Sequence, residues 1–380
     1  MYTITSRRRP NVTGRLPKNH TTRYPMYVEI THCPQGSRYT TWSAFLTNAG
    51  LTPDPNVTQT VLIWEDSRLI ATGSRKANLL KCIAVDKAHR GEDLTATILT
   101  ALRQDAFREG HRHLFLYTKP ENQYLFSSLF FYPVARTDKV LLMENQKDGI
   151  GSFLESLPVS HNNRPESQAA TSDTNFAETS NTSTPIIGAA VMNCNPFTKG
   201  HRYLIETAAE ECDHLYVFVL SEEQSFFSAS DRLEMVRLGT RDLPNVTVHP
   251  TGPYLISAAT FPTYFLKERD NAEQVHCLLD IEIFTKYFVP RFGITRRYVG
   301  TEPLSPMTHK YNEALKTYLP TKRVELRELQ RLAFSSTPVS ASTVRALIDA
   351  GDPEAIRSLV PRTTFEYLQA HGLLTNTVNQ

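Results

Sequence analysis

The chain has 380 residues, 40% hydrophobic and 10% aromatic, with a formal charge of only +2, so a globular protein of two domains is expected and no polyanion partner follows from net charge. No apolar run reaches the ~18 residues of a membrane span. Cys33, Cys82, Cys194, Cys212 and Cys277 are scattered without ligand spacing, which fits a reducing compartment and excludes a structural zinc cluster.

Residues 1–28 hold six Arg or Lys and no acid. They lack the apolar core of a secretory signal and read as a disordered basic tail, with an organellar targeting segment as the alternative. The sequons at Asn11, Asn19, Asn56, Asn181 and Asn245 are then read as chance. A short helix is expected from Thr41 to Ala49, closed by Gly50. Val61–Trp64 and Leu69–Gly73 predict two strands about a turn at Asp66-Ser67, and Leu79–Val85 a third. Leu94, Ile98, Leu99, Leu102 and Phe107 mark a long amphipathic helix. His113–Tyr117 predicts another strand, and Tyr124–Phe130 a short aromatic helix after the turn at Pro120. Residues 160–184 are different: fourteen of these 25 are Asn, Ser or Thr, and Phe176 is the only large apolar side chain. Such a stretch builds no core and reads as a linker.

Beyond it the pattern becomes alternating βαβ. Ile186–Met192 lacks alternation and predicts a buried parallel strand. A polar turn, Asn193 to His201, leads to a helix carrying Leu204, Ile205 and Ala208 on one face. Strand, turn and helix present unpaired N–H groups to an anion. The turn adds a hydroxyl, an ammonium, a glycine and an imidazole, which is chemistry for a polyphosphate. Leu215–Leu220 is a second strand, followed by a helix for which Ser230 is the expected cap. Asn245–His249 is a third strand, Ala259–Lys267 a helix interrupted at Pro262, and Asp280–Phe288 another helix. Arg297–Gly300 is a fourth strand leading into Thr301-Glu302-Pro303. Helices are expected after Val339, from Asp352 to Leu359 and from Phe365 to Ala370. There are no internal repeats.

Thr198-Lys199-Gly200-His201 resembles the Thr/His-x-Gly-His motif of the nucleotidyltransferase superfamily, and Val339–Arg345 resembles its late serine-rich phosphate motif. Ile83-Ala84-Val85 followed by Arg90–Leu94 resembles the acyl-CoA N-acetyltransferase fold. Ala88 and Asp93 depart from that fold's usual residues, and an aspartate in a pyrophosphate nest opposes anion binding. The expected class is α/β: an N-terminal acetyltransferase-like mixed-sheet domain, then a Rossmann-like nucleotidyltransferase domain with a parallel sheet. The boundaries are a tail over 1–28, the first domain over 29–157, a linker over 158–184, the second domain over 185–370 and a tail over 371–380.

The pairing of these two domains resembles the citrate lyase ligase family. Stretches that carry the likeness are Leu80–Val85, Phe115–Asn122, Asn193–Leu204, Asp231–Val236, Gly300–Pro303 and Thr308–Asn312. The resemblance implies an acid–thiol ligase using ATP and Mg2+. Acetate becomes acetyl adenylate with release of pyrophosphate, and the acetyl group passes to the thiol arm of the citrate lyase acyl carrier subunit, a CoA-like prosthetic group. Nucleic acid and membrane partners are not expected, and the cytoplasm is the expected compartment. His201, Thr198 and Lys199 are the expected catalytic residues. Asn195, Phe197, Gly200, Arg232, Gly300, Glu302, Ser340, Ser342 and Arg345 are expected to bind the nucleotide, with no protein-held metal. Cys194 is expected to pack. The competing readings are an adenylyltransferase for a phosphorylated precursor of phosphopantetheine or nicotinamide mononucleotide type, a regulatory binding protein, and an active N-acetyltransferase.

Overall fold

The computed structural model describes residues 26–159, 185–222, 225–255, 264, 269–301, 306–330, 333–334, 337–338 and 340–374. Glu302, most of the basic tail, the linker over 160–184 and all but Tyr264 of the interrupted helix lie outside the described residues. Among the described residues, no helix is long and apolar enough to cross a membrane.

The first half builds a seven-stranded mixed sheet around α1 (Gly36–Asn48), α2 (Leu94–Arg108), α3 (Gln123–Ser128) and α4 (Gly149–Ser156). Its strands are β1 (Met26–Thr31), β2 (Gln59–Glu65), β3 (Arg68–Lys76), β4 (Leu79–Val85), β5 (Phe115–Thr118), β6 (Tyr132–Arg136) and β7 (Leu141–Glu144). The order is β1-β2-β3-β4-β5-β7-β6. The α2 face of Leu94, Ile98, Leu99, Leu102 and Ala106 is buried, as its spacing requires, each large side chain contributing about 1.5–3 kcal/mol. Gly73 of β3 admits it closely: a Cβ there would stand 2.3 Å from the Ile98 side chain.

Only β4 and β5 are parallel neighbours, through Leu79 with Phe115 and Leu80 with Leu116. Beyond these rungs they part. Cys82, at φ 54°, accompanies an irregularity in the pairing of β4 with β3. The parting leaves a cleft of about 610 Å³ that includes Val85, Arg90, Tyr117, Thr118, Asn122 and Tyr264 in its wall.

Several features differ from expectation. β1 starts at Met26, inside the segment expected to be tail. Its side chains are largely exposed, so backbone pairing with β2 holds it and apolar burial does not advertise it. β6, β7 and α4 were not anticipated, the two strands being only five and four residues long. The cap of the second helix beyond the linker is Ser228, not Ser230: its side chain accepts from the Asp231 amide.

The second sheet is all parallel, in the order β10-β9-β8-β11-β12. Its strands are β8 (Ile187–Met192), β9 (His214–Val219), β10 (Val246–Pro250), β11 (Arg296–Gly300) and β12 (Glu325–Leu329). α5 (Lys199–Glu210) and α6 (Ala229–Thr240) lie on one face, joined by α10 (Ala341–Ala350), α11 (Pro353–Leu359) and α12 (Arg362–Ala370). α7 (Arg269–Ile283) runs through a π-helical turn, Phe284–Phe288, into α8 (Val289–Phe292), and with α9 (Pro306–Tyr318) covers the other. The period of a strand sorts β9 between them: Leu215, Val217 and Val219 face the α5 layer, Tyr216 and Phe218 the α7 layer. Both faces are apolar, which is why the sequence shows no alternation.

The two sheets share a core. One buried cluster runs from Trp42 and Leu154 to Phe284 and Phe288. Tyr264 Oη donates to the Tyr117 carbonyl at 2.6 Å, Tyr287 Oη to the Val134 carbonyl at 2.7 Å, and Arg291 to the Leu154 and Leu157 carbonyls at 3.0 Å.

Candidate functional site

Strand order places the site. Along the second sheet the chain visits its third, second, first, fourth and fifth strands in turn, so the direction of winding reverses between β8 and β11. A crevice opens outside the carboxyl ends of strands at such a switch point. The turn after β8 and the exit of β11 both lie there.

The β8 turn runs through Cys194, at φ 51°, and a cis Asn195–Pro196 peptide before Thr198 caps α5. Thr198 Oγ1 accepts from the His201 amide at 3.3 Å, and His201 Nδ1 accepts from the Thr198 amide at 3.1 Å. This is a capping box in which histidine takes the place of the usual Glu or Gln. It also assigns the tautomer. An amide N–H can only donate, so Nδ1 is the acceptor and the neutral ring carries its proton on Nε2. His201 can therefore donate a hydrogen bond without first becoming charged.

Other expected site residues build the turn from beneath. Phe197 is fully buried and stacks on His201 with ring centroids 6.1 Å apart, so it is a support and does not face the mouth. Asn195 Oδ1 accepts from the Phe227 amide at 3.1 Å. Arg232, expected on the nucleotide, is completely buried. It donates to the carbonyls of Phe227, Asn193, Leu220 and Glu222 and to Asn193 Oδ1. Its fork is thus committed to the loops that follow β8 and β9, because a cation this deep needs an acceptor for each donor. Lys199 also departs from expectation: Nζ donates to the Ser358 carbonyl at 2.7 Å, in the last turn of α11, where a cation complements the helix dipole.

The late motif reaches the same mouth. Ser340 caps α10, accepting from the Ser342 amide at 3.2 Å, and the two hydroxyls lie 2.6 Å apart. Arg345, in the second turn, donates from Nη1 to the Asn195 carbonyl at 2.5 Å. That bond ties the start of α10 to the turn before α5, although 150 residues separate the partners. Burial holds the Arg345 guanidinium below its ordinary pKa. Gly200 lies in the first turn of α5. Gly300 closes β11, its carbonyl accepting from Asn312 Nδ2 at 3.0 Å. Two helix N-termini, the Ser340 and Ser342 hydroxyls and an imidazole thus gather at the switch point, a donor set suited to a polyphosphate.

Sequence reasoning missed the holders of this arrangement. Asn193 supplies two acceptors to Arg232. Asn312 joins β11 to Glu328 of β12. Arg202 pairs with Asp242 and reaches the Gly239 carbonyl, fixing α5 to α6. Asn312 and Asn193 stand in stretches that carry the family resemblance, and that was the available signal. Burial pushes the Cys194 thiol well above its ordinary pKa, as a packing residue requires. Among the described residues, no group of three or more His, Cys, Asp or Glu is placed to hold a metal ion.

Residues 187–368 match the family described as the citrate lyase ligase C-terminal domain. The chain is similar to the citrate (pro-3S)-lyase ligase of Escherichia coli (strain K12), 39% identical over 331 residues, which covers 86% of this chain and 88% of that protein. The Klebsiella pneumoniae ligase is 38% identical, covering 85% of this chain and 90% of its own, and the Haemophilus influenzae ligase 34%, covering 86% and 94%. Among solved structures, Escherichia coli ElaA is 13% identical with a TM-score of 0.29, covering 32% of this chain and 100% of that one. Thermotoga maritima TmcAL bound with alpha-thio ATP is 17% identical with a TM-score of 0.30, covering 50% and 56%. The sequence relatives span nearly the whole of both partners, and on that ground the chain belongs to the citrate lyase ligase family.

Proposed function

We propose that the chain is an ATP-dependent acid–thiol ligase that acetylates the thiol arm of the citrate lyase acyl carrier. A carboxylate oxygen of acetate attacks the α-phosphorus of ATP in line, the bond to the β-phosphate oxygen breaks, and pyrophosphate leaves. The carrier's thiol then attacks the carbonyl of the acetyl adenylate, loses its proton, and expels AMP. The observation that carries this reading is the meeting of the α5 and α10 N-termini at the β8/β11 switch point, locked by Arg345 on Asn195.

In this mechanism His201 donates from Nε2 to a non-bridging α-phosphoryl oxygen, where charge grows in the transition state. The Ser340 and Ser342 hydroxyls and the first amides of α10 hold the β- and γ-phosphates, with the remainder of the Arg345 fork alongside. Thr198, Phe197 and Arg232 are positioning residues that keep His201 and its turn in place. The mouth is rich in donors, which fits a triphosphate. Magnesium would be held chiefly by the phosphates themselves and would offset their charge. The first domain contributes surface for the carrier.

The test uses the full chain with ATP labelled at the α-phosphate, magnesium, acetate and the deacetylated carrier. AMP and pyrophosphate are the expected products, and His201→Ala should lower turnover by ~100-fold, about 3 kcal/mol, with a much smaller change in ATP affinity. ADP and phosphate as products would refute the reading. AMP joined to a phosphorylated precursor would replace it with a cofactor adenylyltransferase.

A further inference from the structure

Three arginines are almost wholly buried, and the fold treats one of them differently. Arg75 is paired with Asp105 and Glu109 and donates to the Ala77 carbonyl. Arg232 is ringed by carbonyls. Arg297, on β11, is 2% exposed, and its Nε and Nη1 are buried without any hydrogen-bond partner. Among the described residues it enters no ion pair. Its guanidinium carbon lies 4.2 Å from the centroid of the Phe284 ring, at the start of the π-helical turn. A ring face offsets only part of what burying a cation costs. Left in this state, two of its nitrogens are buried without an acceptor.

Its surroundings are polar and lie beside the switch crevice. Arg297 pairs in register with Ala189 of β8, which offers only a methyl group. On the helices that cover this face, buried Asp280 accepts from Tyr311 Oη, and Tyr311 lies within electrostatic reach of both Asp280 and Arg297. His276 stacks with Tyr311 at 6.4 Å. Arg297 is three residues before Gly300, where β11 reaches the mouth. Asp280 spends one of its oxygens on Tyr311, and no ion pair joins it to Arg297.

We propose that Arg297 anchors the carboxylate of the acid substrate, a short-chain carboxylic acid. The proposal rests on the acid-ligase reading above and deepens it. A carboxylate would take one edge of the guanidinium, Nε with Nη2 or Nη1 with Nη2, and each edge includes one of the two unmet nitrogens. The anion would supply the missing counter-charge while its second face stays available for attack. The cation makes the acid bind ionised, as the attack requires.

The test separates this assignment from the reaction itself. For the full chain, pyrophosphate exchange into ATP is measured against acetate concentration, and thermal midpoints are taken in sodium acetate and in sodium chloride of equal ionic strength. Wild type should exchange, and acetate should raise its midpoint by about 2 °C. Arg297→Lys should raise the KM for acetate ~10-fold or more while that for ATP stays within ~2-fold. Arg297→Met should melt no lower than wild type, because it removes an uncompensated buried charge, and should lose the acetate shift. An unchanged acetate KM in Arg297→Lys, or an Arg297→Met protein that melts well below wild type yet keeps the acetate shift, would overturn the assignment and leave the ligase reading standing. Absence of any carboxylate-dependent exchange in wild type would overturn both. A midpoint shift equal in acetate and chloride, with normal kinetics in Arg297→Lys, would reduce the site to a halide or water and also overturn it.

Discussion

His249 gives the fold a calculable sensitivity to acid. The ring lies on β10, 3% exposed, with the rings of Tyr216, Phe292 and Phe218 5.5–6.1 Å away. Nε2 is 2.9 Å from the Pro158 carbonyl, which can only accept, so Nε2 carries the proton of a neutral imidazole. Burial is the main cause that lowers its pKa to about 4; the Pro158 bond opposes this, and Arg237, His214 and Arg291 add to it. The unfolded chain, with a histidine near pKa 6.5, binds more protons than the folded one between these values. Stability from this group is therefore fully present above pH ~6.5 and is lost as pH falls toward 4. The difference of roughly 2.5 units corresponds to about 3 kcal/mol. Replacement by glutamine keeps a donor for Pro158 and removes the titration. Denaturant unfolding of wild type and His249→Gln at pH 7, 5.5 and 4.5 should show wild type losing about 2 kcal/mol more than the variant. Carboxylates that protonate in this range act on both proteins, so the difference isolates the ring. Parallel losses would refute the argument.

Arg232→Met should strip the loops after β8 and β9 of their shared donor, cost ~3–5 kcal/mol in stability, and lower ligase turnover, as read by denaturant unfolding and pyrophosphate release. Gly239→Ala would place a Cβ 2.4 Å from the ring of buried Phe197. The overpacking, about 1–3 kcal/mol, should exceed the ~1 kcal/mol gained from alanine in a helix, and the displaced ring should raise the KM for ATP. Isothermal titration with acetyl-CoA should give weak or no binding, because Asp93 is exposed at the start of α2, in the wall of the first sheet's cleft. Transfer of acetyl from acetyl-CoA to an amine would refute that expectation.

The βαβ half of the fold was legible because its signals are local. An unbroken apolar run, a polar turn and a helical stripe sit within a few residues of one another around Met192 and Thr198, and the structure keeps them in that order. The same locality explains the failures. β12 is an edge strand of Glu325-Leu326-Arg327-Glu328-Leu329, whose two leucines lie three residues apart and so lack the alternation that marks a strand. Asp231 adjoins Arg232 in the chain, yet it takes the Tyr367 hydroxyl at 2.8 Å and the Ser228 hydroxyl at 2.6 Å. Arg232 looks inward, toward carbonyls contributed from residues as distant as Asn193. Depth of burial, which decides whether an arginine meets water, a carbonyl or a substrate, is set by the far side of the sheet. Arg296 and Arg297 make the point side by side: the first pairs with Glu325 at 2.7 Å, and the second is sealed against Phe284.

The shared core bears on how two substrates could meet. The segment that follows β10 sends Tyr254 and Tyr264 into the first sheet. Tyr254 Oη donates to Glu144 Oε2 at 2.8 Å, and burial, with this bond second, raises its pKa far above the ordinary range. Glu144 in turn lies 2.6 Å from His113 Nε2 and accepts from the amides of Gly149 and Ile150, so one buried carboxylate gathers β5, β7, α4 and the second sheet. Tyr264 stands in the wall of the cleft where β4 and β5 part, with its hydroxyl on the Tyr117 carbonyl. A charge-assisted buried bond such as that of Tyr254 contributes about 1.5–3 kcal/mol, and the apolar cluster around it adds more, so separating the sheets would cost a large part of a typical stability. Rigid-body opening is therefore an expensive way to admit a carrier. A thiol arm that reaches a standing mouth needs no such motion, and the proposed ligation requires only that the arm, not the carrier domain, reach the adenylate at the end of β8.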